Sequence, residues 1–247
     1  MIQRLRPPTR KAALVLIVLL AVAGAFLLGR HDRKPIRPEP PQPRADLLVL
    51  TSLPLLFPDT LSLSAPMPPA AKALQSHFRL LPISVSDSAS LNGHQMLLMA
   101  QPRAQPPEDL VALDDWVRAG GKVLLLADPA LQWVSERPLG DSLRPSFAFA
   151  DTGLLAHWGL TLQGADDLGP EQVRIAGNTL QTRSPGSLKS TSPSCSVGDT
   201  GTLAECAVGK GRVIVVADCD FLAADLSQAN RGLELQLLLE LLGRLQR

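Results

Sequence analysis

Residues 110–129, LVALDDWVRAGGKVLLLADP, decide how this chain folds. Leu110, Leu113, Trp116 and Val117 share one face of a helix that begins near Pro107. The early acids Glu108 and Asp109 suit the positive end of its dipole. Asp114 and Asp115 read as solvated face. Gly120-Gly121 ends the helix with a left-handed cap. The run Lys122 to Ala127 (KVLLLA) then has no polar alternation, as a strand covered on both sides requires, and it stops at Asp128-Pro129. Helix, Gly-Gly, buried strand and polar loop predict an α/β fold with a mostly parallel sheet flanked by helices.

Further runs of the same kind lie on both sides. Leu47 to Leu50 is a short apolar strand that follows Asp46 and stops at Thr51-Ser52. Leu80 to Val85 and Gln95 to Ala100 are strand candidates, and Ala70 to His77 is a short helix. Gly209-Lys210-Gly211 turns into Arg212 to Ala217 (RVIVVA), which stops at Asp218. Leu233 to Leu245 closes the chain as a helix. Its stripe of Gln236, Glu240, Gly243, Arg244 and Arg247 leaves the leucines to pack on the sheet or, less simply, on a partner. Between about 153 and 208 the pattern changes. Val173 to Ile175 and Thr179 to Thr182 flank a turn at Gly177-Asn178, and Ser and Gly are dense from Ser184 to Gly201, which predicts an antiparallel β insertion.

Upstream of the fold lies a different kind of sequence. Ala12 to Gly29 is eighteen residues without a polar side chain, spanning roughly 27 Å as a helix, close to a bilayer core. The organisation expected is a basic cytoplasmic tail at 1–11, a transmembrane helix at 12–29, a proline-rich linker at 30–45 and a periplasmic α/β domain at 46–247. Arg4, Arg6, Arg10 and Lys11 favour an N-terminus kept inside, although Arg30, Arg33, Lys34 and Arg37 weaken the bias. A cleaved signal peptide is the rival, since Ala21-Val22-Ala23 has the small-x-small form. Phe26-Leu27-Leu28 prolongs the apolar run past that point and favours an uncleaved anchor. No Cys follows the run, so a lipoprotein is excluded. Pro35 to Pro43 places five prolines in nine residues, a semi-rigid spacer that holds a folded domain off the bilayer.

Charge follows the same division. Residues 1–45 hold nine Lys/Arg against two Asp/Glu, and residues 46–247 hold fifteen against twenty-one, so the net +1 hides an acidic domain on a basic anchor. An acidic domain excludes nucleic acid as its partner. Three Cys in 247 residues exclude a disulfide-stapled miniprotein, while Cys195 and Cys206 can pair if the domain is exported. Only eight Phe/Trp and no Tyr lie beyond residue 45, which argues against an aromatic-lined sugar or nucleobase site.

Candidate chemistry gathers where strands end, because open parallel sheets bind ligands beyond their carboxyl ends. Thr51, Ser52, Gln101, Asp128, Asp218 and Asp220 are the ligand-binding candidates. The competing reading is that Asp128 and Asp218 merely cap the segments that follow. A bare carboxylate pair holding a divalent ion is a further alternative. Asp218-x-Asp220 superficially resembles the aspartyl-phosphate loop of haloacid-dehalogenase-like phosphatases. It begins thirty residues from the C-terminus, without room for their downstream Lys and acids. No G-x-S-x-G, P-loop or H-E-x-x-H motif occurs. His31, His77, His94 and His157 lack metal-ligand spacing. No cofactor and no metal is expected. A hydrolase of unfamiliar design would need Ser52 or Cys219 as nucleophile.

Residues Leu110 to Pro129 resemble the helix–Gly-Gly–strand unit of class I glutamine-amidotransferase-like domains. Gly209 to Leu222 (GKGRVIVVADCDFL) is similar to the corresponding stretch of GldG-like proteins, auxiliary components of bacterial ABC transporters that carry an exported amidotransferase-like domain on a membrane anchor. Intraflagellar-transport and trehalose-utilisation-type domains are related to these. The resemblance covers residues 46–130 and 205–225 and implies a glutamine-amidotransferase-like, flavodoxin-like sheet. It implies an inner-membrane protein, single-pass with its main domain in the periplasm, and ABC permease and ATPase subunits as partners. It does not imply amidotransferase activity. The elbow reads Ala127-Asp128-Pro129 in place of a Cys, and Asp218-Cys219-Asp220 brings no His. Nor does the chain end in the C-terminal transmembrane helix that GldG-like proteins often carry. The expected function is therefore that of a non-catalytic accessory. The alternatives are a small-ligand or divalent-metal module and, further off, the hydrolase.

Overall fold

The protein is described from a computed structural model, which covers residues 44–59, 66–165 and 167–247. The basic tail, the apolar run and nearly all of the linker lie outside the described residues, as does Asp166. Among the described residues no helix is long and apolar enough to cross a membrane.

The apolar runs form the centre of a seven-stranded sheet. Strands β1 (Ala45–Thr51), β2 (Phe78–Pro82), β3 (Met96–Ala100), β4 (Lys122–Leu126) and β11 (Gly211–Val216) are mutually parallel in the order β2-β1-β3-β4-β11. All five residues of β3 are buried, as expected of a strand with layers on both faces. The second strand covers Phe78–Pro82 rather than Leu80 to Val85. The cause is β1, which pairs with it only over Ala45 to Val49 and with β3 over Leu48 to Thr51. Pro82 is tolerated because β2 is an edge strand.

Side chains alternate between two cores. Leu47, Val49, Leu98 and Leu124 face helices α1 (Pro69–Gln75) and α6 (Leu233–Gln246), together with a hairpin of β6 (Pro170–Ile175) and β7 (Asn178–Arg183). Leu48, Leu50, Leu97 and Leu125 face α3 (Pro107–Arg118) and α4 (Leu154–Trp158), with α2 (Ser88–Leu91) and a ribbon of β5 (Leu160–Gln163) and β8 (Ser187–Ser190). Leu237, Leu238, Leu241, Leu242 and Leu245 of α6 are wholly buried, so the closing helix packs on the sheet. A short α5 (Ser227–Asn230) precedes it.

The joint between α3 and β4 depends on both glycines. Gly120 has φ +126°, a conformation that disfavours any side chain, and a Cβ on Gly121 would lie 2.3 Å from the Trp116 ring. Asp114 is buried, against the expectation of a solvated face. Its carboxylate accepts from Arg118 Nε at 2.7 Å and from Trp158 Nε1 at 2.9 Å, and lies 3.1 Å from His157 Nε2, tying α3 to α4. Those partners draw its pKa down against the burial that raises it.

The segment expected as an insertion is antiparallel, but its last part is not separate from the sheet. β10 (Leu203–Val208) pairs antiparallel with β11, and β9 (Cys195–Val197) pairs with β10, extending the main sheet by two strands. Cys195 and Cys206 stand directly opposite each other in that ladder and form a disulfide. The β6–β7 turn is Ala176-Gly177, one residue before the expected Gly177-Asn178. Ile175 pairs with Asn178, and both turn residues have positive φ, matching the twist of a two-residue hairpin.

Candidate functional site

The sheet carries a switch point at the carboxyl ends of β1 and β3, where connections leave to opposite sides. Thr51 ends β1 and Ser52 follows it, Gln101 follows β3, and Asp128 and Asp218 lie two residues beyond β4 and β11. The structure brings Gln101, Asp128, Asp218, Cys219 and Asp220 into one cluster, each wholly buried. Candidate oxygens of the three carboxylates lie within 4.8 Å of one another. Thr51 and Ser52 adjoin this cluster through the β3 backbone. Thr51 Oγ1 donates to Ala100 O at 2.8 Å, and Ser52 Oγ donates to Gln101 O at 2.5 Å.

Nearly every polar atom of the cluster is engaged within the chain. Asp128 Oδ1 accepts from Ala130 N at 2.8 Å and its Oδ2 from Cys219 N at 3.0 Å. Asp218 Oδ1 accepts from Asp220 N at 3.0 Å and its Oδ2 from Thr182 Oγ1 at 2.5 Å. Asp220 Oδ2 accepts from Gln132 N at 2.7 Å. Five of six carboxylate oxygens are therefore committed to backbone amides or a hydroxyl, and Asp220 Oδ1 alone has no partner among the described residues. Gln101 has φ +43°, which a non-glycine residue adopts only under constraint. The constraint is its side-chain amide, which brackets the Asp128 main chain from both sides.

Three buried carboxylates cannot all be ionised side by side. Burial pushes Asp218 well above the usual carboxylate range, and the charge of Asp128 adds to it. Asp128 is also raised by burial, though amide donors and a hydrogen bond from Asp218 oppose the rise. Asp220 is pushed up to about 7, mainly by burial. The cluster thus holds protons near neutrality. The Cys219 thiol is driven well above its ordinary value by burial and the surrounding carboxylates, and it points 3.8 Å from Gln101 Oε1. A thiol so placed is a poor nucleophile.

Other members of the site carry no signal in local sequence. Thr182 comes from β7, thirty-six positions from Asp218. Gln132 follows β4 and also donates through Nε2 to Ser184 Oγ. Asn230 of α5 accepts from Gln181 N at 2.7 Å and donates to Phe221 O at 3.1 Å, pinning the hairpin to the β11 exit. Asp128 does cap its own loop, through Ala130 N, but no helix begins there.

Fold and site together define a mostly parallel α/β domain whose strand-end crevice is closed by its own carboxylates. The chain belongs to the family described as "Domain of unknown function (DUF4350)", whose model matches residues 71–238. Among curated proteins there is no match. Among solved structures, the mmIFT52 N-terminal domain is similar in fold, with a TM-score of 0.51 and 15% identity over 78% of this chain and 94% of that one. The exo-beta-1,4-mannosidase Op5Man5 from Opitutaceae bacterium strain TAV5 gives 0.46 and 11% identity, over 79% of this chain and 35% of that one. Cytoplasmic Protein STM1381 from Salmonella typhimurium LT2 gives 0.43 and 12%, over 77% and 93%.

Proposed function

We propose that this chain is a non-catalytic, membrane-anchored accessory component of an envelope ABC-type transport system, acting by protein–protein contact. The observation that carries the non-catalytic part is the closure of the strand-end cluster. The groups that a ligand-binding sheet would present outward are here wholly buried and bonded to one another. Hydroxyls at Thr51 and Ser52 donate to carbonyls, and Cys219 keeps its proton, so among the described residues no activated nucleophile stands at the switch point.

Support for the finer fold comes from the parallel order β2-β1-β3-β4-β11, which is that of flavodoxin-like sheets and agrees with the amidotransferase-like resemblance. Support for the anchor comes from the apolar run at 12–29 and the basic residues before it. The Cys195–Cys206 bond favours an oxidising compartment such as the periplasm. The transporter partner rests on the GldG-like resemblance. Purification of the tagged full-length chain from its native membranes tests it. A permease or ATPase subunit of an ABC transporter recovered in stoichiometric amount supports the reading, and recovery of the chain alone, with and without cross-linking, overturns it.

One observation favours a second reading. Asp220 Oδ1 is buried without a partner among the described residues, and hard divalent cations bind carboxylate oxygens. In that reading Asp128, Asp218 and Asp220 hold a divalent ion. Thermal unfolding with added Mg2+, Ca2+ or Mn2+ tests it. A rise in Tm that Asp128→Asn and Asp218→Asn abolish supports it, and no change in the wild-type chain removes it.

A further inference from the structure

A second cavity, separate from the carboxylate cluster, opens between the β1 exit, the segment after β4 and the start of α6. Its volume is about 410 Å3, within the range of small-molecule sites. Its walls are largely apolar, with Leu55, Trp133, Leu222 and Leu235 contributing. Glu234, in the first turn of α6, also lines it. Glu234 is 4% exposed, and among the described residues it forms no salt bridge and its Oε2 is buried without a hydrogen-bond partner.

A buried carboxylate oxygen with no donor is an unfavourable arrangement that a bound donor would relieve. The charge around the cavity specifies that donor. Asp59, Glu136 and Asp225 also line it, and among the described residues no lysine, arginine or histidine does. Asp59 pairs with Arg137 and Asp225 with Arg183, so these two wall carboxylates already have cationic partners. Glu234 is left as the buried carboxyl group beside apolar walls. Ala70, Pro54 and Pro69 complete the apolar part of the lining.

We propose that this cavity binds a small organic ammonium compound with an apolar body, the ammonium donating to Glu234 and the body lying against Trp133 and Leu222. The site is independent of the transport reading and of the strand-end carboxylates. A bare metal ion would leave the apolar walls unused, and a neutral apolar ligand would leave Glu234 unpaired.

The test uses the full-length chain with phenethylamine and its neutral counterpart 2-phenylethanol, read by tryptophan fluorescence and by the shift in Tm. Phenethylamine should bind at least about tenfold more tightly than the alcohol, which corresponds to one donor–carboxylate pairing. Glu234→Gln should erase that preference while the alcohol still binds. Trp133→Ala should weaken both ligands and keep the preference, which separates loss of the carboxylate from loss of fold. Circular dichroism confirms that each variant is folded. Equal affinity for the two probes, binding of neither, or a preference that survives Glu234→Gln overturns the proposal.

Discussion

Gln101 holds Asp128 by two hydrogen bonds that run in opposite directions. Its Nε2 donates to Asp128 O at 3.1 Å, and its Oε1 accepts from Asp128 N at 2.9 Å. One side chain just beyond β3 thus supplies the acceptor for the Asp128 amide, while the Asp128 carbonyl also accepts from Phe149 N at 2.7 Å. The positive φ of Gln101 is the local cost of aiming the amide inward. Asp128, fixed in this way, holds the Cys219 amide, and Asp218 then binds Thr182. The chain of contacts closes the crevice across β3, β4, β11 and β7.

Gln101→Ala should therefore destabilise the domain by about 1–3 kcal/mol, because it leaves the buried Asp128 amide unpaired, while the Asp128 carbonyl loses one of two donors and keeps Phe149 N. Urea unfolding followed by circular dichroism measures this. Gln101→Gly relieves the backbone constraint but loses the same two bonds, so it should remain clearly less stable than wild type.

The disulfide joins β9 to β10 at the outer edge of the sheet and closes a loop of 11 residues. Replacing Cys195 and Cys206 together by Ala should cost about 2–3 kcal/mol. Thermal unfolding with and without reductant checks it. Reductant should lower the Tm of the wild-type chain and leave that of the double variant unchanged.

Asp114→Ala removes the carboxylate on which Arg118 and the buried Trp158 Nε1 converge. The expected loss is about 1–3 kcal/mol, from an indole N–H left buried without an acceptor. Asp114→Asn, which keeps an acceptor for Trp158, should recover part of it. Unfolding free energies of the two variants give the comparison.

The architecture was legible where local patterning determines it. Leu47 to Leu50, Val123 to Ala127 and Val213 to Ala217 are apolar on both faces, and runs this short between turn residues suit a strand covered by two layers. The ends of those strands then located Asp128 and Asp218, which the fold brings together because β4 and β11 are neighbours. The edges were less legible. Where β2 stops depends on which neighbour β1 pairs with, and that two strands of the expected insertion join the main sheet depends on partners far along the chain. Asp114 was misread for a related reason. Helix periodicity places it beside the solvent, and only α4, packed on α3 from forty residues away, covers it. Thr182 and Gln132 were invisible because their hydrogen bonds to Asp218 and Asp220 join segments far apart in the chain.

The topology reading rests on residues 1–43. An alkaline-phosphatase fusion after residue 247, expressed in a bacterial host, should be active. An inactive fusion, with an active cytoplasmic reporter at the same position, would overturn the periplasmic placement.

The central claim is that the strand-end carboxylates form a closed, proton-holding cluster rather than an open site. Its pH dependence follows in sign. Asp220 is raised from 3.8 to about 7, and Asp218 and Asp128 are raised as well. Between about pH 4 and 7 the folded chain binds protons that the unfolded chain has released, so stability is greatest at the acid end of that range and falls as pH rises through 7. The lowered carboxylates Asp59 and Asp114 act in the opposite sense, but only as pH falls towards 4. The deciding measurement is the Tm of the full-length chain from pH 5 to pH 8, beside Asp218→Asn and Asp220→Asn. The account expects wild-type stability to rise by more than about 2 kcal/mol from pH 8 to pH 5. It expects each variant to flatten that rise, with no response to Mg2+ or Ca2+ at pH 8. A wild-type Tm that falls on acidification across this window, or a slope that both variants leave intact, would contradict it.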